Sequence, residues 1–163
     1  MKKIIYLLIC FLILSHSVSA MELQGGVKYT VDSARDYLQD GQTDNIEITG
    51  PYRLDADNAQ KVVYSYNNSG DVVGITVQYL NEPTKAYIYD KRGNLIYMDK
   101  YDKSVDIYPH RGYRYKMDGS IDLATLTVSK KEQFRFSPKG QLIAHSISGI
   151  IYDENGNVIG SAK

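Results

Sequence analysis

The chain has 163 residues, the size of one ordinary domain, and its 19 basic and 19 acidic side chains cancel. That balance excludes the electrostatic footprint of a nucleic-acid binder, so no nucleic-acid partner is expected. A single cysteine excludes a disulfide framework, and 15 tyrosines against three phenylalanines and no tryptophan suit a sheet with one wet face, because tyrosine joins strand propensity to a polar end.

Residues 1–20 carry the three parts of an export signal: Lys2 and Lys3, an uncharged apolar run from Ile4 to Leu14, and the small-residue ending Val18-Ser19-Ala20. A cleaved signal peptide ending at Ala20 is expected, with a periplasmic or extracellular destination. The apolar run stops at His16 after about a dozen residues, short of the roughly 20 that span a bilayer, so no stable membrane span is expected after cleavage. Cys10 follows Ile9 rather than a small residue, which argues against lipoprotein processing. Removing 20 of 163 residues leaves 143, and the loss of Lys2 and Lys3 leaves 17 basic against 19 acidic residues, a net charge of −2.

The segment 21–60 differs in pattern from the rest of the chain. Val31, Ala34, Tyr37 and Leu38 recur at helical spacing, with Thr30 as N-cap and Gly41 as a stop, which predicts one short helix over Thr30 to Gln39. Asn45 to Thr49 alternates like a strand, Gly50-Pro51 breaks it, and Leu54 to Gln60 reads as a polar linker.

From residue 61 to 163 the period changes to two. Val62, Tyr64 and Tyr66, then Val73, Ile75, Val77 and Tyr79, then Tyr87 and Tyr89, then Phe134 and Phe136 alternate as half-buried antiparallel strands do. Between them stand five turn clusters, at Asn67–Asp71, Asp90–Asn94, Asp118–Ser120, Pro138–Gly140 and Asp153–Asn157, each of which reads as a hairpin tip. The expected fold is mainly β, an antiparallel meander of consecutive β-hairpins with one short N-terminal helix. The sheet is either open and curved or partly closed into a barrel, and the 21–60 segment packs with it as one domain.

Tyr89 to Ile96 and Tyr152 to Ile159 share the form Y-D-x-x-G-N-[LV]-I, and both resemble the core of YD (Rhs-type) repeats; hairpin repeats of the MORN-variant type look similar. Ser137 to Leu142 is a weaker copy without the Tyr-Asp pair. The resemblance implies a hairpin scaffold in a bacterial envelope or extracellular setting and carries over no catalytic residue.

The chemistry-bearing patterns are sparse. Asp153 to Asn157 begins like a calcium loop, but its glycine stands fourth rather than sixth and no closing acid comes after it, so a hairpin turn is expected. His110 and His145 lie 35 residues apart with no cysteine beside them, so no metal and no cofactor are expected. No G-x-S-x-G or H-E-x-x-H motif occurs, which leaves a carboxylate pair among the nineteen acids as the one route to a hydrolase; Asp99, Asp102 and Asp106 cluster near Lys100 and Lys103, the pattern of a solvated edge more often than of a catalytic pair. Asn67-Asn68-Ser69 fits the N-glycosylation pattern, which matters only in a eukaryotic secretory path.

The candidate ligand-binding residues are Tyr108, Arg111, Tyr113, Arg114 and Tyr115, where aromatic and basic side chains interleave. In a strand, Tyr113 and Tyr115 share one face and Arg114 and Lys116 the other. Two readings stay open: a stacking platform backed by charge, or a core-facing tyrosine pair with solvated cations outside. The functional expectation is a non-enzymatic binding module for a glycan, a cell-wall polymer or an envelope protein. The alternatives are a structural, self-assembling envelope protein and a small carboxylate-dependent hydrolase.

Overall fold

The computed structural model describes residues 28–43, 45–67 and 69–161. The expected signal peptide and Asn68 of the acceptor pattern lie outside the described residues.

One helix, α1 (Val31–Gln39), precedes ten strands. Thr30 is its N-cap: the Thr30 hydroxyl accepts from the Ser33 amide at 3.2 Å, and the Ser33 hydroxyl accepts from the Thr30 amide at 2.9 Å. Two of the amides that a helix start leaves without partners are thereby satisfied. Nine residues are too few to hold a helix in water unaided. This one is held by Ala34 and Leu38, both buried in the core.

The strands are β1 (Ala59–Tyr66), β2 (Val72–Tyr79), β3 (Lys85–Tyr89), β4 (Leu95–Tyr101), β5 (His110–Lys116), β6 (Ile121–Ser129), β7 (Glu132–Phe136), β8 (Leu142–Ile147), β9 (Ile150–Tyr152) and β10 (Val158–Ser161). They form one sheet in sequence order, each antiparallel to the next. The sheet is open, with β1 and β10 at its two edges, so the meander is as expected and the barrel is not formed.

All five expected tips join an odd strand to the next even one and therefore lie along one end of the sheet. Three share one hydrogen-bond pattern. Asp90 accepts the amides of Arg92 and Asn94 on Oδ1, at 2.8 and 2.9 Å, and the Asn94 side-chain amide on Oδ2. Asp153 does the same with Asn155 and Asn157, and Asn67 accepts from the amides of Ser69 and Asp71. These bonds hold the Asp90 and Asp153 carboxyls below their ordinary pKa, the asparagine side-chain bond contributing most. The Asp153 loop is a turn closed on itself.

The segment before β1 departs from expectation. Asn45 to Thr49 is not a strand, and Ala59 and Gln60 belong to β1 rather than to a linker. Residues 28–58 form a strap that runs back along the tips, opposite to the course of the meander. The Arg35 Nε donates to the Gly140 carbonyl at 2.7 Å, the Ile46 amide to that of Gly119 at 3.2 Å, and the Leu54 amide to that of Gly93 at 2.9 Å. Ile46 and Ile48 alternate because one side of the strap packs inward, and Ile48 is buried, yet no neighbouring strand supplies a ladder.

A strap without a ladder leaves carbonyls that need donors. Tyrosines of the sheet provide them. Tyr89 on β3 donates to the Pro51 carbonyl at 2.8 Å, while Tyr87, two residues earlier, lies 3.3 Å from the Thr49 carbonyl and makes its shorter bond, 2.7 Å, to the Glu82 carboxylate. Tyr113 on β5 donates to the Leu38 carbonyl at 2.7 Å. Tyr87, Tyr89, Tyr113 and Tyr115 are core residues together with Val77, Leu126, Phe134 and Phe136. Among the described residues no buried side-chain nitrogen or oxygen lacks a partner.

Candidate functional site

With one face of the sheet covered by α1 and the strap, alternation sends every second side chain to the other face. There β1 to β7 border a trough of about 560 Å³. Its breadth comes from curling of the sheet, since Lys61 and Val63 of β1 and Gln133 and Arg135 of β7 line the same space.

The register sets the trough floor. Asp99 on β4 lies opposite Arg114 on β5, and the Arg114 guanidinium closes on it with two bonds, Nε to Oδ1 at 2.8 Å and Nη2 to Oδ2 at 2.9 Å. Asp99 holds the Arg114 pKa above its ordinary value against the pull of burial. The next row runs from Tyr101 through Gly112 and Thr125 to Arg135. The Tyr101 ring lies on Gly112: a Cβ there would sit 2.8 Å from its Cε1. Thr127 and Gln133 are the next opposed partners, with a 3.2 Å bond from the Gln133 amide to the threonine hydroxyl.

One end of the trough is aromatic. His110 makes an edge contact with Tyr101, ring centroids 5.7 Å apart, and a tilted one with Tyr108 at 5.4 Å. The His110 Nδ1 faces the Ile107 carbonyl at 3.1 Å, which makes that nitrogen the donor. Val105 and Asp106 of the β4–β5 loop complete this wall.

The five residues singled out in the sequence divide between the two faces. Tyr108 and Arg114 line the trough. Tyr113 and Tyr115 are 5 % and 1 % exposed beneath the strap, so they offer no stacking surface to a ligand. Burial pushes the Tyr113 phenol up to about 12. Arg111 shares their face: its Nε pairs with Asp102 at 3.0 Å, its Nη1 donates to the Tyr37 carbonyl, and its guanidinium covers the Tyr37 ring. It fastens the helix to the sheet.

Sequence reading misses Tyr101, His110, Thr125, Thr127, Gln133 and Arg135 as a group. They come from four strands, and only the alternation of each strand, once the covered face is known, places them together. Of the clustered acids, Asp99 and Asp102 are ion-paired to Arg114 and Arg111 on opposite faces, while Asp106 lines the trough. Among the described residues no three His, Cys, Asp or Glu side chains gather as metal ligands, and no helix is long and apolar enough to cross a membrane.

A second depression, about 860 Å³ but shallower, lies between the first two tips, bordered by Asn67, Asp71 and Asp90 among others. Its Asn67 and Asp90 side chains are committed to their own turns, which leaves the trough as the better-built site. No family model, no curated protein and no solved structure matches the chain.

Proposed function

We propose that this protein is an exported, non-enzymatic binding module of the bacterial envelope or exterior, and that its trough holds a saccharide chain. The observation that carries the reading is the pairing of an aromatic wall, the half-buried Tyr101 and Tyr108 backed by the buried His110, with a floor of hydroxyls and amides from Thr125, Thr127 and Gln133. A sugar presents apolar faces that stack on rings and a rim of hydroxyls that needs hydrogen-bond partners, so the two halves of the site answer the two halves of the ligand. The export signal expected at residues 1–20 and the YD-like tips motivate the setting.

Co-sedimentation of the purified protein with insoluble cell-wall polysaccharide tests this. Retention that Tyr108→Ala lowers severalfold is expected; no retention, or equal retention of the variant, refutes it.

A second reading, self-association, is favoured by the apolar side chains at the sheet ends. Val63, Tyr64 and Tyr66 on β1 and Val158 and Ile159 on β10 are all exposed, and these edges carry few of the charges that commonly block strand addition. Light scattering across a concentration series decides it, a constant monomer mass being the negative result.

A further inference from the structure

Resting on the saccharide reading, the geometry points to an acidic sugar as the ligand, with its carboxylate seated on Arg135. The two trough arginines are held in opposite ways. The donor fork of Arg114 is closed on Asp99, at 2.8 and 2.9 Å, and that pair is neutral. Arg135 is exposed, donates only its Nε, to the Gln133 Oε1 at 2.7 Å, and forms no ion pair among the described residues. Its two terminal nitrogens therefore border the trough with donors to spare.

Gln133 holds this guanidinium by the bond to Nε, the position that leaves the paired terminal donors free for a planar acceptor. A carboxylate matches that fork in two parallel bonds, which a hydroxyl cannot. The surroundings add to the demand. Burial against the trough wall pulls the Arg135 pKa down, with Arg114 pulling the same way and Asp99 opposing it. Lys61, also exposed, supplies a further cation at the far side, against which only Asp106 among the lining acids is outside an ion pair. Thr125, one strand over from Arg135 and directly opposite it, places a hydroxyl beside the seat for a ring substituent.

Calorimetric titration of the purified protein with trigalacturonate, maltotriose and inorganic phosphate tests the assignment. Trigalacturonate is expected to bind at least tenfold more tightly than maltotriose, and Arg135→Gln is expected to erase that preference while Arg135→Lys keeps part of it. Because Arg135 is exposed, the variants should keep the circular dichroism spectrum and thermal midpoint of the parent. Equal affinity for the two trisaccharides, unaffected by Arg135→Gln, overturns the acidic assignment and leaves saccharide binding standing. Phosphate binding as tightly as trigalacturonate overturns the sugar in favour of a small-anion site. Binding of none of the three, together with no retention on cell-wall polysaccharide, overturns both this inference and the reading beneath it.

Discussion

Gly119→Ala should unfold the contact between strap and sheet, and its cost can be separated from that of the turn. Gly119 and Gly156 occupy equivalent places in the third and fifth tips, with φ of +82° and +79°. An alanine in that left-handed conformation costs about 1–2 kcal/mol at either site. At Gly156 nothing lies within 4 Å of the added Cβ, so the backbone term is the whole effect. At Gly119 the Cβ would stand 2.1 Å from the Ile46 carbonyl oxygen, which is backbone and has to withdraw. Withdrawal breaks the Ile46 amide bond to the Gly119 carbonyl, worth about 0.5–1.5 kcal/mol. It also loosens Ile48, whose full exposure would cost about 1.5–3 kcal/mol. The expected losses are about 3–6.5 kcal/mol for Gly119→Ala with Ile48 fully released and about 1–2 kcal/mol for Gly156→Ala. Urea unfolding followed by far-UV circular dichroism, with both variants fitted to a common slope, measures the difference. Equal destabilisation of the two would show that the strap is not held at the third tip, and the reasoning would fail.

Tyr89→Phe removes the donor to the Pro51 carbonyl and the acceptor of the Tyr79 hydroxyl, and should cost about 1–3 kcal/mol, whereas Tyr66→Phe at an exposed edge should stay within about 0.5 kcal/mol of the parent in the same urea assay. Asp90, Asp118 and Asp153 are held below the ordinary value of 3.8, so the stability they contribute is present above that pH and is lost as pH falls through their folded values; replacing all three with asparagine should shrink the acid loss measured by urea midpoints between pH 5 and pH 2, and an unchanged acid profile would count against the tip bonds. Tyr113 runs the other way: its phenol, raised from 10.0 to about 12, gives stability that is complete below pH 10 and lost as pH climbs toward 12, and Tyr113→Phe should flatten part of that alkaline decline in thermal midpoints. Gly112→Ala should push the Tyr101 ring off its seat, weakening saccharide retention several-fold with little change in thermal midpoint; unchanged retention would remove Tyr101 from the site.

The strands and tips are legible in the sequence because they are local. Period-two alternation and a polar Gly-containing cluster each need only a few neighbouring residues, and Asp90 or Asp153 closes its own turn with partners no more than four positions away. The strap misleads for the same reason. The alternation of Ile46 and Ile48 reports one-sided burial, which a strand and a ladderless crossing share, and the donors that replace the ladder sit 38 and 75 positions away from their acceptors, on Tyr89 and Tyr113. The Tyr113 and Arg114 pair shows the matching limit for the site. Their opposition across the strand is visible in the alternation, but which face is covered depends on α1, whose docking on β6 and β7 no local pattern encodes. The trough, assembled from the uncovered halves of seven strands, has no sequence signature until that face is fixed.

The crossing strap also orders events in time. Each hairpin closes over a short stretch of chain, whereas the bonds that fasten residues 28–58 join positions 38, 75 and 105 apart. Closing a longer loop costs more entropy before any contact repays it, so the hairpins zip first and the strap latches last. Until it does, the hydroxyls of Tyr89 and Tyr113 lack their strap carbonyls, while that of Tyr87 is held within its own hairpin by Glu82, and the nascent sheet presents to any chaperone or neighbouring chain donors seeking an extended backbone.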